Sequence, residues 1–458
     1  MLKRHGRLHP VLMMLAMVLA AIALTHLIPA GKFQRHHGQV VPGTFEVIQK
    51  INGLPALLSL SAPTTTDVPA RAAGFVAFFA DIPAGMIKQA NLIFMVVFIG
   101  GMFGVLRATG AIDAAIDRLL HLTSGNAYLL TIGLMLLLAC GSTFLGFISE
   151  YLVIVPVVLS IGQRLRLPNL FAAAVVIVAS MAGYAASVTN PIVLAVAQPL
   201  AGVPVFSGLV PRFLIFAVTF GLGMAYVLLY LRRLPKSDHV PEAARLTDRQ
   251  VGVLMALVLG GIILITGTGL WSWSSSQQSA AFIAFSIILA LVGGLRPGDA
   301  ADAFLDGMRS LLLAGLMIGL AGAMDVILQS SQILDSIVHG FATLIQGHTR
   351  SLIATDIMGV EMAFDVLIHS TSAKAAISMP ILVPIAHLSG VSGQVVVTAL
   401  VLGSGLTNMV TPTNGLLLAF LAASKVDYVD WLRFIAPLFC VLCIVGIVAL
   451  YLMTILGV

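Results

Sequence analysis

Two short polar stretches interrupt long apolar runs, and both carry side chains able to bind an ion or a small polar solute. They are Ser187-Val-Thr-Asn-Pro191 and Asn408-Met-Val-Thr-Pro-Thr-Asn-Gly415. A helix that breaks inside a membrane leaves backbone N–H and C=O groups unpaired, because lipid supplies no partners. Helix N-termini favour anions, and free carbonyl groups favour cations. We therefore predict that a carboxylate and a coupling cation meet at these breaks. In the alternative interpretation, the polar side chains only cap and pack the breaks.

The candidate ligands are hydroxyl and amide side chains at these breaks, together with polar residues at the tips of two predicted hairpins. The predicted substrate-binding set is Ser142, Thr143, Glu150, Ser187, Thr189, Asn190, Ser370, Thr371, Ser372, Lys374, Asn408, Thr411, Thr413 and Asn414. If the coupling ion is Na⁺, we expect it near Asn190 and Asn408; the alternative coupling ion is H⁺. We expect no other cofactor and no catalytic residue.

Ionisable side chains near the two tips are further candidates, because charges inside membranes are costly and tend to be functional. Glu150 could carry a proton, bind Na⁺ or pair with a cationic substrate, or it could make a structural hydrogen bond. Lys374 could face an anionic substrate or pair with Asp365. His369 could titrate near neutral pH or be a satisfied polar residue. Glu361 is assigned to the approaching arm of the hairpin and is not predicted to take part.

The composition indicates where these side chains must lie. Of 458 residues, 59% are hydrophobic and 9% are charged, whereas soluble domains carry about 25% charged residues. This excludes a soluble enzyme, a nucleic-acid-binding protein and a disordered scaffold, and it predicts a polytopic protein of the lipid bilayer. The net charge of +5 comes from basic residues in short loops, which act as topology signals. No HExxH, GxSxG or Walker motif is present, so we do not expect an enzyme.

The apolar runs predict an all-α fold whose crossings are set by the charged loops. Basic residues precede the first run at Pro10, which places the N-terminus in the cytoplasm. Residues 126–162 and 351–389 each predict a re-entrant hairpin, because each arm is short and the tip is polar. Residues 170–200 and 394–424 predict two broken transmembrane helices around the polar stretches.

The two halves of the chain match at a constant offset of 221 residues, which aligns Pro191 with Pro412 and Arg212 with Arg433. The loop charges indicate that the first hairpin opens inward and the second outward. Opposite orientation of matching halves predicts an inverted-topology repeat, a pattern typical of transporters. The predicted units are a first repeat in 1–231, a cytoplasmic linker and connecting helix in 232–278, and a second repeat in 279–458.

Several motifs carry a family resemblance. They are Leu27-Ile-Pro-Ala-Gly-Lys-Phe33, Gly100-Gly-Met-Phe-Gly-Val-Leu-Arg-Ala-Thr-Gly-Ala-Ile-Asp113, Gly202-Val-Pro-Val-Phe-Ser-Gly208, Lys374-Ala-Ala-Ile-Ser-Met-Pro380 and Leu406-Thr-Asn-Met-Val-Thr-Pro-Thr-Asn-Gly415. With them the chain resembles, over nearly its whole length, YfcC-like proteins of the C4-dicarboxylate anaerobic carrier (DcuC) family in the ion transporter superfamily. The resemblance implies a homodimeric, elevator-type secondary transporter of the bacterial inner membrane. It also implies that substrate, often with Na⁺, binds at segments 141–150, 187–191, 370–374 and 408–414.

The leading hypothesis is a secondary active transporter of a small carboxylate, similar to a C4-dicarboxylate, driven by ion coupling or exchange. The alternative keeps the fold and changes the substrate to a basic amino acid such as arginine or ornithine. Glu150 would then pair with the cationic side chain of the substrate. An ion channel is the alternative of a different class, and it predicts conductance without saturation.

Overall fold

The computed structural model describes residues 10–36, 39–123, 125–234, 246–269, 271 and 273–457. These residues form α-helices joined by loops, with six two-residue strands confined to the segment 31–71. The basic residues that precede Pro10 and most of the predicted charged linker, 235–245, lie outside the described residues.

The helices follow one another in this order: α1 Pro10–Leu27, α2 Leu54–Leu57, α3 Phe75–Lys88, α4 Ala90–Ala108, α5 Ala111–Leu122, α6 Ala127–Cys140, α7 Val155–Arg164, α8 Asn169–Ala186, α9 Pro191–Leu200, α10 Leu209–Arg232, α11 Asp248–Gly269, α12 Ser275–Gly293, α13 Pro297–Ser310, α14 Leu312–Ser330, α15 Leu334–Ile345, α16 Arg350–Leu367, α17 Thr371–Leu388, α18 Gly393–Thr407, α19 Gly415–Ala423 and α20 Tyr428–Leu456. A π-helical turn, Gly141–Leu145, and a 3-10 turn, Ser149–Val153, join α6 to α7. The strands are β1 Gly31–Lys32, β2 Arg35–His36, β3 Gln39–Val40, β4 Glu46–Val47, β5 Lys50–Ile51 and β6 Ala70–Arg71. β1 pairs with β4 and β2 with β3 in antiparallel fashion, and β5 pairs with β6 in parallel.

Membrane spanning is supported directly by helix length and composition. Among the described residues, eight helical segments are long and apolar enough to cross a membrane, so the chain is a multi-pass membrane protein. Within the segment Asn169–Leu200, the most apolar stretch is completely buried. Every residue of α8 from Phe171 to Ala186 is buried, whereas α9 exposes Ile192. By contrast, α10 and α20 expose side chains such as Leu214 and Ile444. α8 therefore lies in the protein interior, and α10 and α20 lie at its apolar surface.

The helices pack as two groups. The flanking group consists of α1, α3, α4 and α11–α14, and the central group of α6–α10 and α16–α20. Within the central group, α6 and α7 both pack on α8, while α16 and α17 both pack on α18. The two groups meet mainly where α14 packs against α19.

The predicted offset of 221 residues places each helix of the series α3–α10 over its counterpart in the series α13–α20. The packing is reciprocal as well, because α3 packs on α14 while α4 packs on α13. Both observations support a repeat. The opposite orientation of the two copies, and their boundaries, stay predictions.

The polar segment between α1 and α3 is bonded to α1 and to α15. The Lys50 ammonium donates hydrogen bonds to the carbonyl groups of Thr25 and Ile28 at the end of α1. Its partial burial lowers the pKa of Lys50 to about 8. The Asp335 carboxylate accepts hydrogen bonds from the Phe33 N–H at 2.9 Å and from the Arg35 guanidinium at 2.8 Å. This segment therefore joins α1 to α15.

Glycines allow α4 and α13 to touch backbone to backbone. A Cβ atom placed at Gly104 would lie 2.0 Å from the Ala303 carbonyl oxygen, and one placed at Gly307 would lie 2.1 Å from the Gly100 carbonyl oxygen. Such close approach of small residues is a common basis of helix packing in membranes.

We predict that Gly104→Ala lowers the free energy of unfolding by about 1–3 kcal/mol, because the added methyl group forces the two helices apart. Gly133→Ala is the matched control, since Gly133 lies on the exposed side of α6 and a methyl group added there would meet nothing within 4 Å. It should leave stability unchanged or raise it by up to about 1 kcal/mol. Thermal unfolding of the detergent-solubilised variants measures both, and equal effects would contradict the close-contact interpretation.

Candidate functional site

A cavity of about 480 Å³ lies between the two helical groups. The flanking group contributes Gln89 and Asp325, and the central group contributes Tyr184 of α8. The other lining residues are Leu92, Ile148, Ser149, Met181, Ile192, Ser275, Ile318, Ala321, His369, Ser370, Thr371, Ser372, Asn408, Asn414, Gly415 and Leu416. Both predicted hairpin tips and both predicted breaks therefore contribute to, or adjoin, one cavity.

Three helix N-termini reach this cavity. The first turn of α17 contributes Thr371, the start of α19 contributes Gly415, and the start of α9 contributes Ile192. The N-terminal end of a helix carries a partial positive charge and N–H groups without intrahelical partners. The convergence of three such ends makes the cavity favourable for an anion.

The first tip is bonded to the first break. The Thr143 hydroxyl accepts from the Val188 N–H at 3.1 Å, and the Thr189 hydroxyl donates to the Phe144 carbonyl at 3.1 Å. Between these bonds, Gly146 has a φ of 79°, and a Cβ atom there would lie 2.3 Å from the Asn190 side-chain oxygen. A larger residue would therefore be both strained and crowded at this position.

The first break is closed by its own side chains. Ser187, with a φ of 42°, ends α8 in the left-handed conformation. Asn190 then caps α9, because its side-chain oxygen accepts from the Ile192 N–H at 3.0 Å. The Asn190 amide nitrogen donates to the Ser187 hydroxyl at 3.1 Å. Both residues are fully buried, and neither is among the residues lining the cavity.

The second break uses the same device. The Asn414 side-chain oxygen accepts from the N–H groups of Leu416 and Leu417, at 3.0 and 3.3 Å, and so caps α19. The Asn414 amide nitrogen donates to the side-chain oxygen of Asn408 at 2.6 Å. Both asparagines also line the cavity, so they are placed to serve as caps and as ligands.

The second tip is bonded to the first half of the chain. The Tyr184 hydroxyl donates to the Thr371 hydroxyl at 3.0 Å, and the Ser372 hydroxyl donates to the Ile192 carbonyl at 3.0 Å. Ser370 caps α17 by accepting from the Ala373 N–H at 3.3 Å. All three hydroxyl residues of this tip line the cavity.

Lys374 lies one turn behind this tip and is completely buried. Its ammonium donates to the Asp365 carboxylate at 2.8 Å and to the Glu361 carbonyl at 3.0 Å. The Glu361 carboxylate in turn accepts from the Ser378 hydroxyl at 2.6 Å. Lys374 thus pairs with Asp365, one of the two sequence alternatives, and it is not among the residues lining the cavity.

Glu361 is the residue that sequence reasoning left out. A signal was present, because Glu361 and Asp365 are four residues apart, as are Lys374 and Ser378 on the next helix. That spacing puts each pair on one face of its helix. What the sequence does not reveal is that these two faces meet.

Glu150 is half-buried in the 3-10 turn after the first tip. Its carboxylate accepts from the Ile148 N–H at 3.1 Å and from the Ser149 hydroxyl at 3.2 Å. Ile148 and Ser149 line the cavity, and Glu150 itself is not among the lining residues. The structure therefore gives Glu150 a local capping role beside the cavity.

The predicted binding residues fall into two sets by position. Ser370, Thr371, Ser372, Asn408 and Asn414 line the cavity. The remaining residues do not line it and bond to neighbouring groups; they are Ser142, Thr143, Glu150, Ser187, Thr189, Asn190, Lys374, Thr411 and Thr413. A role in binding stays a prediction for both sets, as does Na⁺ near Asn190 and Asn408.

Comparison with known proteins gives matches across the chain. The sequence model of the family described as C4-dicarboxylate anaerobic carrier, DcuC, matches residues 9–455. A protein of Escherichia coli K12 named "Putative basic amino acid antiporter YfcC" is 26% identical, over 91% of this chain and 90% of that protein. An uncharacterised protein of Haemophilus influenzae is 24% identical, over 80% of this chain and 76% of that protein.

Two solved structures resemble the chain over nearly its full length. The YdaH transporter of Alcanivorax borkumensis has a TM-score of 0.45 and 15% identity, with 97% of this chain and 98% of that chain covered. The MtrF efflux pump of Neisseria gonorrhoeae has a TM-score of 0.44 and 18% identity, with 98% and 95% covered.

We predict that Asn414→Ala destabilises the protein more than Asn126→Ala does. Both asparagines cap a helix by accepting two backbone N–H groups, but Asn126 is exposed and Asn414 is buried. Water can replace the cap at Asn126, so its loss should cost about 1 kcal/mol. At Asn414 the N–H of the fully buried Leu417 stays unsatisfied, which adds about 1–3 kcal/mol. Thermal unfolding without ligand measures both, and equal losses would contradict a buried structural cap.

We also predict that Lys374→Gln lowers the free energy of unfolding by about 3–5 kcal/mol, because it leaves buried carboxyl groups without their cation. Adding Asp365→Asn to this variant should restore part of the loss, since it removes one of those carboxyl groups. A double-mutant cycle of denaturation measurements gives the coupling energy. Additive effects would mean that the two side chains do not interact.

Proposed function

The chain belongs to the C4-dicarboxylate anaerobic carrier family, and on this premise we propose that it is a secondary active transporter of a small carboxylate. The proposed substrate resembles a C4-dicarboxylate and moves by ion coupling or exchange. The proposed location is the bacterial inner membrane, with the N-terminus in the cytoplasm.

The observation that carries the substrate class is the convergence of three helix N-termini on one cavity. The ends of α9, α17 and α19 bring partial positive charge to the cavity, and hydroxyl and amide side chains lie beside them. Among the described lining residues the one carboxylate is Asp325, which already bonds to Lys88 at 2.5 Å and to Gln329 at 2.9 Å. An anionic substrate therefore meets favourable charge without a free opposing carboxylate.

The second candidate is exchange of basic amino acids, in keeping with the name of the Escherichia coli relative. Asp325 is the observation that favours it, because a cationic substrate group in the cavity could displace Lys88 from this carboxylate. The α-carboxylate of the same substrate would suit the helix N-termini. This candidate ranks second because the substrate must break an existing ion pair.

An elevator-type movement of the central group is the proposed mechanism. Its support is a second cavity, of about 490 Å³, at the opposite end of α19, near Lys425. This second cavity also lies between the two groups, lined by Arg107 of α4 and Gln163 of α7. A substrate site on the central group could thus face one cavity and then the other. We further propose that the transporter works as a homodimer, as its family resemblance implies.

We predict that a C4-dicarboxylate raises the melting temperature of the purified transporter, because a ligand that binds only the folded state stabilises it by mass action. At a ligand concentration one hundred times the Kd, the gain is about 2.7 kcal/mol. The panel contains dicarboxylates, monocarboxylates, arginine, ornithine and lysine, each with and without Na⁺.

Asp325→Asn is the discriminating variant. It should keep stabilisation by a dicarboxylate, whereas stabilisation by arginine or ornithine should be lost if Asp325 holds the cationic group. Stabilisation by a basic amino acid alone would overturn the carboxylate proposal. Counterflow of the same labelled compounds in proteoliposomes separates transport from binding, and saturable exchange would exclude a channel.

A further inference from the structure

The two arms of the second predicted hairpin, α16 and α17, bring charged side chains together in the protein interior. Glu361 and Asp365 lie on α16, Lys374 and Ser378 lie on α17, and all four side chains are 0% exposed. The Lys374 nitrogen is 2.8 Å from Asp365 Oδ1 and 3.7 Å from Glu361 Oε2. We call Glu361, Asp365 and Lys374 the buried triad.

The triad contains two carboxyl groups for one ammonium group. With every group ionised it would hold one uncompensated negative charge, and an unpaired charge in a dry interior is very costly. One proton on either carboxyl group makes the triad neutral. Within the described part of the chain, Glu361 Oε2 and Asp365 Oδ2 have no hydrogen-bond partner, so each carboxyl keeps one oxygen for that proton.

A third group without a hydrogen-bond partner lies at the same depth. Gly390, just before α18, lies beside Arg350 at the start of α16. The two helices therefore begin on the same side of the protein and run in parallel. A Cβ atom at Gly403 would lie 3.0 Å from Glu361 Cβ, and one turn further along α18 is Thr407. Thr407 is 4% exposed, and among the described residues its hydroxyl is also without a hydrogen-bond partner. It is therefore at the level of Asp365, one turn beyond Glu361.

Several other ionisable residues lie on the helices around the triad, and among the described residues the buried His369 Nε2 has no hydrogen-bond partner. The two that act on it electrostatically are Tyr184, which bonds to Thr371, and His369 at the tip. α18 carries no ionisable side chain. The ionisable residues on the other helices near the triad are Asp325 on α14, Asp335 and His339 on α15, Arg350 and Asp356 on α16, His387 on α17, and Tyr428, Asp430, Arg433, Cys440, Cys443 and Tyr451 on α20. Within the described residues, none of these forms an ion pair or hydrogen bond with the triad.

We propose that the buried triad holds one exchangeable proton, shared between Glu361 and Asp365, and that this is the coupling proton of the transporter. The step is a simple proton transfer, in which hydronium protonates one carboxylate and becomes water, and on release the carboxylic acid returns the proton to water. A metal ion suits the site less well, because the Lys374 ammonium already lies between the two carboxyl groups. The proton site deepens the proposed transport function. Its role in coupling rests on that proposed function.

The position of Lys374 connects the charge of the triad to the helix end at the substrate cavity. Lys374 is one turn after Thr371, which lines the cavity and bonds to Tyr184. Removing the proton leaves an excess negative charge beside the ammonium and strengthens its attraction to α16. Proton binding therefore acts on the first turn of α17, the helix end that faces the substrate.

Infrared spectroscopy of the purified protein tests the proton directly, without any substrate. At neutral pH the wild type should show the C=O stretch of one protonated carboxyl group that is absent from Asp365→Asn and from Glu361→Gln. Either single substitution should remove the whole band, because the remaining carboxylate is neutralised by Lys374. The double variant should lose no more. The use of two variants keeps the test valid if one fails to fold.

Asp325→Asn is the matched control, since Asp325 pairs with Lys88 outside the triad. It should leave the band unchanged. A wild-type spectrum without this band, a band that survives both triad substitutions, or a band abolished by Na⁺ would each overturn the proton site.

Coupling is measured separately in proteoliposomes that contain a pH-sensitive dye. Wild-type substrate uptake should be accompanied by proton movement, and the two triad variants should retain counterflow while losing that movement. Counterflow without proton movement in the wild type would overturn the coupling role. Absence of counterflow for every tested substrate would instead overturn the proposed transport function, while the infrared result still decides the proton site.

Discussion

The absence of hydrogen-bond partners in lipid is the constraint on which the rest of this structure depends. A helix can be interrupted in such a medium only if side chains satisfy the backbone groups that the interruption frees. Asn190 and Asn414 do this for the first turns of α9 and α19, and Thr143 does it for the N–H of Val188. The broken helices therefore exist because polar side chains surround them. The burial of α8 from Phe171 to Ala186 follows from the same requirement.

The same constraint explains why function concentrates at these places. Once a helix end is held inside the protein, its partial charge is available to a solute at little further cost. Three such ends surround the cavity, and the charged groups behind them are shielded from it by the first turn of α17. At the three helix ends neutral dipoles thus face the substrate, while the charges of Glu361, Asp365 and Lys374 are kept behind them.

Much of the architecture could be predicted because its signals are local. The prolines and polar residues at Ser187–Pro191 and Asn408–Gly415 mark the ends of α8 and α18, and helix breaks follow from sequence composition alone. The membrane class and the family were confirmed. The site was harder, because it depends on which faces of distant helices meet. Lys374 was expected to face either a substrate or Asp365, and no local pattern decides between them. The partnership of Glu361 with Lys374 depends on the packing of α16 against α17.

The bonds that tie the second tip to the first half have an energetic consequence for access. Detaching the tip breaks the Tyr184–Thr371 and Ser372–Ile192 hydrogen bonds. At a net value of about 1 kcal/mol each, these two bonds alone contribute roughly a thirtyfold preference for the attached state. A preference of this size favours the attached tip, yet it is small enough for thermal fluctuation to overcome. A solute that offers replacement oxygens to these hydroxyls can reverse the balance.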